Sequence, residues 1–124
     1  MGMPQTNELP KLTSKQIAVF ERYARLEITL DDLRRALPGL VEYNFERRNR
    51  WIDQHFRIPD PGITITREHV QNALTKKRMD QFSGYDLICW ASMLLMSDVY
   101  DFDARDEDFI GDSLTDISYG DIAL

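Results

Sequence analysis

The run Asp101-Phe102-Asp103-Ala104-Arg105-Asp106-Glu107-Asp108 holds the densest set of ligating side chains in the chain. Calcium takes carboxylate oxygens from alternate positions of a loop between two helices, because a hard cation prefers hard oxygen donors. Asp101 and Asp103 suit the first and third positions of such a loop. Three departures break the match. Arg105 stands at position five, Asp106 replaces the glycine that makes the sharp turn, and Asp112 at position twelve is shorter than the usual bidentate Glu. The segment therefore reads as a solvated acidic turn with Asp106 capping a helix, and no metal or cofactor is expected.

Other reactive side chains are scattered. His55 and His69 have no second histidine at helical spacing and only Cys89 to share, so they make no zinc signature. Cys89 lies beside Trp90 in an apolar stretch without the basic neighbours that would lower its pKa, which predicts a core thiol and not a nucleophile. No phosphate-binding glycine loop or serine-nucleophile turn occurs, and the aspartates pair on paper too freely to mark an acid–base couple. The expectation is a protein that is not an enzyme.

A basic stretch spans residues 34–50, and its core is Arg47-Arg48-Asn49-Arg50-Trp51. Guanidinium groups beside an aromatic ring suit phosphates and stacked bases. The first two predicted helices are also joined as tightly as in a helix–turn–helix. Against a nucleic-acid regulator, the second of them opens with Asp31-Asp32, where phosphates would lie, and the turn Glu27-Ile28-Thr29 lacks glycine. Nucleic-acid binding is the second reading.

Charge distribution favours a different partner. Residues 1–79 hold 14 basic and 10 acidic side chains, whereas residues 80–124 hold one basic residue, Arg105, against 11 acidic ones. The resulting negative surface would steer a basic protein toward it. The partner-binding residues predicted on this ground are Asp101, Asp103, Glu107, Asp108, Asp112 and Asp116.

The elements that must position these groups are announced by four helix starts: Leu12-Thr13 to Ile17, Ile28-Thr29 to Leu33, Ile65-Thr66 to Val70 and Phe82-Ser83 to Leu87. In each, a hydroxyl can accept from a free N–H of the first turn, and the flanking apolar residues can pack across it. Gln16 occupies the reciprocal position of a capping box, and Asp32 and Asp86 sit at the positive end of a helix dipole. Helices are expected from about Ser14 to Leu26, after Thr29 to the Pro38-Gly39 stop, after Thr66 to Arg78, from Gly84 to about Tyr100, and from Asp106 to Ser118. Residues 1–12, with Pro4 and Pro10, read as a flexible arm, and 13–124 as a single helical domain. Between 40 and 57 the pattern leaves two options: a helical face of Phe45, Ile52, His55 and Phe56, or a short strand from Leu40 to Phe45. The predicted fold class is all-α, a compact bundle of about five short helices with the 84–100 helix central. Its apolar residues point in nearly every direction.

The segment from Ile65 to Leu95, with starts at Thr66 and Ser83 followed by Leu87 and Trp90-Ala91, resembles the small helical immunity proteins of bacterial toxin systems. The likeness covers about a quarter of the chain and rests on core and capping residues, so no individual functional residue carries over. It implies a small cytoplasmic protein that binds and masks a partner. The lone cysteine agrees with a reducing compartment, and no run approaches the roughly 20 apolar residues of a membrane helix.

Overall fold

The computed structural model describes residues 9–46 and 48–120. In chain order it contains α1 (Ser14–Ala24), α2 (Leu30–Ala36), β1 (Val41–Asn44), β2 (Trp51–Gln54), β3 (Ile63–Ile65), α3 (Arg67–Arg78), α4 (Gly84–Met96), β4 (Tyr100–Phe102), a 3₁₀ turn (Ala104–Asp106) and α5 (Glu107–Ser118). Thr13, Thr29, Thr66 and Ser83 are the residues that cap α1 to α4. Three of these caps are reciprocal. The Thr13 N–H donates to Gln16 Oε1 (2.8 Å), the Thr29 N–H to Asp32 Oδ2 (3.0 Å) and the Ser83 N–H to Asp86 Oδ2 (3.0 Å), while each hydroxyl accepts from the N–H three residues on. Asp32 and Asp86 thus do more than meet the helix dipole, since they also satisfy the N-cap backbone.

The expected all-α helical bundle is corrected by two small sheets. β1 and β2 form an antiparallel hairpin in which Tyr43 faces Ile52. β3 and β4 pair in parallel, with Ile63, Thr64 and Ile65 opposite Tyr100, Asp101 and Phe102. The fold is mixed α/β. Residues 40–57 are not a helical face: along β2, exposed Trp51 and Asp53 alternate with half-buried Ile52 and Gln54, the two-residue period of a strand. The α4 helix stops at Met96, short of the expected Tyr100, because Ser97 turns to extended backbone. Tyr100 is freed to start a strand. Parallel strands need a long crossover, and α3 and α4 supply it.

α1 also ends earlier than its pattern suggests. Leu26 adopts φ +54°, its N–H donates to the Tyr23 carbonyl, and the Glu27 N–H donates to the Arg22 carbonyl. That is the paired bond pattern closing a helix through a left-handed residue, normally glycine. Leu26 holds this position with its side chain buried, and that apolar burial offsets the backbone cost of the left-handed conformation.

The core is assembled around α4, which touches α1, α2, α3, α5 and β2. Trp90 is fully buried and its Nε1 donates to the Ala24 carbonyl at 3.1 Å. The Tyr100 hydroxyl donates to the Phe20 carbonyl at 2.8 Å, and Asn72 Nδ2 donates to the Arg25 carbonyl at 2.9 Å. Three separate elements therefore tie down α1, and two of those bonds satisfy carbonyls at or near its end that lack intrahelical partners. Leu12 is buried, and the Arg57 N–H donates to the Pro10 carbonyl at 2.8 Å. Residues 1–8 of the predicted arm lie outside the described residues.

Candidate functional site

The six predicted partner-binding acids fall into two groups once the backbone is folded. Asp101 is on β4 and Asp103 immediately follows it. Asp101 lies over Gly62, where an added Cβ would meet its Oδ2 at 2.6 Å. Asp103 accepts from the backbone N–H of Arg105 (3.1 Å), and its carboxylate pairs with the Arg105 guanidinium at 2.9 Å. This arginine holds the Asp103 carboxyl below the usual carboxylate range. Both oxygens that a calcium loop would present at its third position face a fixed cation instead. Among the described residues no cluster of three or more His, Cys, Asp or Glu side chains is arranged to hold a metal.

Asp106 meets a partner that the sequence reasoning missed. Arg67, in the first turn of α3, reaches across to Asp106 Oδ1 at 3.1 Å, and its guanidinium carbon stands 3.9 Å above the Phe109 ring centroid. No local signal marks this contact, since the pair is separated by 39 residues. Asp103 and Asp106 are thus paired with Arg105 and Arg67, while Asp101 is exposed and in no ion pair among the described residues.

The downstream acids have no such partners among the described residues. Glu107, Asp108, Asp112 and Asp116 are all exposed on α5, and none of them is in an ion pair among the described residues. Asp108, Asp112 and Asp116 follow the four-residue helical repeat and make one stripe. On the other side of α5, Ile110, Leu114 and Ile117 are buried in the core. Helical periodicity alone puts these two faces opposite each other, and α4 and α3 hold the apolar one in place. The arrangement offers a row of carboxylates to cationic groups and no nucleophile, acid–base pair or phosphate cradle.

The alternative basic stretch is divided. Arg47 lies outside the described residues. Arg50 is half-buried, donates from Nη2 to the Ser118 carbonyl at 2.6 Å and sits over the Tyr119 ring, which fastens the hairpin to the end of α5. Arg35 pairs with Asp32 at 3.0 Å, and Arg34 lies over the Tyr43 ring. Arg48 remains exposed. The helix-turn-helix reading loses its scaffold as well, because α2 has seven residues and runs directly into the hairpin.

The remaining candidates are separated in space and role. His55 Nε2 lies 3.2 Å from Glu42 Oε1 across the hairpin surface. His69 takes part in the start of α3. Cys89 is buried, and burial pushes its thiol pKa up despite a hydrogen bond with Tyr85, so the thiol and not the thiolate is present near neutral pH. No described helix is long and apolar enough to cross a membrane. Comparison with protein-family models, curated proteins and solved structures returns no match for this chain.

Proposed function

We propose that this protein is a non-enzymatic binding module whose acidic α5 face engages a basic protein, in the manner of an immunity protein masking a toxin in the cytoplasm. One observation carries the reading: Asp108, Asp112 and Asp116 repeat along one exposed face of α5 without an ion-pair partner among the described residues. Like charges four residues apart each oppose the helix by roughly 0.2–0.5 kcal/mol. A face that repels itself when free is relieved when a cationic surface covers it, and its field accelerates encounter with that surface. The basic stretch supports the nucleic-acid alternative less well, because Arg35 and Arg50 are engaged within the protein.

The test is affinity capture from the native host, followed by titration of the captured protein against two sets of variants. Changing Glu107, Asp108, Asp112 and Asp116 to Lys is expected to abolish binding while leaving the circular dichroism spectrum intact. Affinity of the unmodified protein should fall with added salt. Binding that survives those reversals and disappears in Arg48→Ala would overturn the proposal.

A further inference from the structure

Between α1, α2, β1 and the start of α4 lies a cleft of about 440 Å³, within the range that holds small ligands or an inserted side chain. Its walls include the rings of Tyr43, Phe82 and Tyr85, and its rim carries the carboxylates of Asp31 and Asp86. Tyr23 forms part of its floor. The Tyr23 hydroxyl is buried and has no hydrogen-bond partner among the described residues. Tyr23 itself lines the cleft, and of the groups that act electrostatically on its phenol, Tyr100 lies in the core while Cys89, Tyr43 and Asp86 also line the cleft. Buried polar atoms normally find a partner, and one left over at the base of an open cleft points to a group that arrives from outside.

The lining specifies the chemistry of that group. Aromatic faces attract cations through their quadrupole, and flanking carboxylates add charge and hydrogen-bond acceptors. Neither Asp31 nor Asp86 is in an ion pair among the described residues. Arg34, also at the rim, places its guanidinium carbon 5.7 Å from the Tyr43 ring centroid, a resident example of what these rings accept. Two carboxylates against this one guanidinium leave the rim at −1. Tyr85 is 70% exposed, an aromatic of the kind enriched where proteins meet.

We propose that this cleft seats one arginine side chain of the basic partner. The guanidinium lies against the tyrosine rings, between Asp31 and Asp86, and donates one N–H to the Tyr23 hydroxyl oxygen. The assignment rests on the reading of the protein as a binder of a basic partner, and deepens it by naming the group recognised.

The test uses N-acetylarginine methylamide as the probe and its neutral isostere, N-acetylcitrulline methylamide, as the control. Nuclear magnetic resonance should show saturable shifts of the Tyr23, Tyr43 and Tyr85 rings with the arginine probe. The citrulline probe should bind on the order of 10-fold more weakly. Tyr23→Phe keeps the ring and removes only the unpartnered hydroxyl, so it should fold and still weaken the probe. Asp31→Asn should weaken it too, and Arg34→Gln should tighten it by vacating the Tyr43 face. Equal shifts with both probes, shifts confined to other residues, or Tyr23→Phe binding as tightly as the parent protein would overturn the proposal. The four reversals on α5 must leave the probe titration unchanged. A protein that titrates the probe but binds its partner regardless of those reversals fails the α5 reading alone, whereas loss of probe binding with α5-dependent capture intact fails this one alone.

Discussion

Nδ1 of His69 accepts a hydrogen bond from the backbone N–H of Thr66 at 3.0 Å, and the Thr66 hydroxyl lies 3.0 Å from the same nitrogen. The imidazole takes the place that Gln16, Asp32 and Asp86 take at the other three helix starts. Unlike them, it serves only while Nδ1 is an acceptor, which requires the neutral ring. Burial lowers the His69 pKa, the nearby Arg25 lowers it further, and Glu68 opposes both.

A pH dependence follows. Because the folded pKa lies below the unfolded value of 6.5, the stabilisation is complete above that value and is lost as pH falls through it toward the folded pKa. His69→Gln restores the acceptor without the titration. Thermal unfolding of the two proteins should run in parallel above about pH 8 and diverge below about pH 6, the glutamine variant becoming the more stable. Parallel behaviour down to about pH 5 would show that the ring is not held by Thr66 in this way.

Trp90→Ala should destabilise the protein by about 3–5 kcal/mol, measured by denaturant unfolding. The side chain is fully buried on α4, and its loss leaves both a cavity and an unsatisfied Ala24 carbonyl at the end of α1. Trp90→Phe separates the two contributions, since it refills most of the volume and leaves only the carbonyl without its donor.

Gly62→Ala should weaken the β3–β4 pair. An alanine Cβ would lie 2.6 Å from Asp101 Oδ2 and 2.7 Å from the Val99 carbonyl oxygen, which itself accepts from the Ile63 N–H at 2.8 Å. The Asp101 side chain can move aside and the Val99 backbone cannot without breaking that bond. A cost of about 1–3 kcal/mol is expected from the overpacking. Adding Asp101→Ala should recover only part of it. Full recovery in the double variant would mean that the strand backbone is not under pressure.

Local grammar was enough to locate α1 to α4 and their caps, because each start is written within six consecutive positions and needs no distant partner. It also located α5, whose Phe109, Ile110, Leu114 and Ile117 recur at helical spacing, and with it the acidic stripe. Charge asymmetry between the two parts of the chain was equally legible, since it depends on composition alone.

Of the strands, β1 lies within the Leu40 to Phe45 option that the pattern left open, whereas β3 and β4 had no local signal. Ile63-Thr64-Ile65 is a β-branched triplet suited to a sheet, but three residues show no period, and the end of the triplet served equally well as the apolar lead-in to the Thr66 cap. Its hydrogen bonds are made with Tyr100-Asp101-Phe102 only after α3 and α4 have brought the two segments side by side. An isolated triplet gains nothing from extended backbone, so the sheet exists through tertiary contact.

The same reason divides the acidic run. Sequence determined that Asp101 to Asp116 would be crowded with carboxylates, and helical periodicity placed Asp108, Asp112 and Asp116 on one face. Only the folded chain decided which of these charges remain free, by carrying Arg67 to Asp106 and leaving Asp108, Asp112 and Asp116 without an ion pair among the described residues. It decided as well that Tyr23, Tyr43 and Tyr85, from three separate elements, share one cleft. Helix caps are satisfied by near neighbours and can be read in order along the chain. Ion pairs, strand ladders and clefts are satisfied by residues that meet only when the core closes.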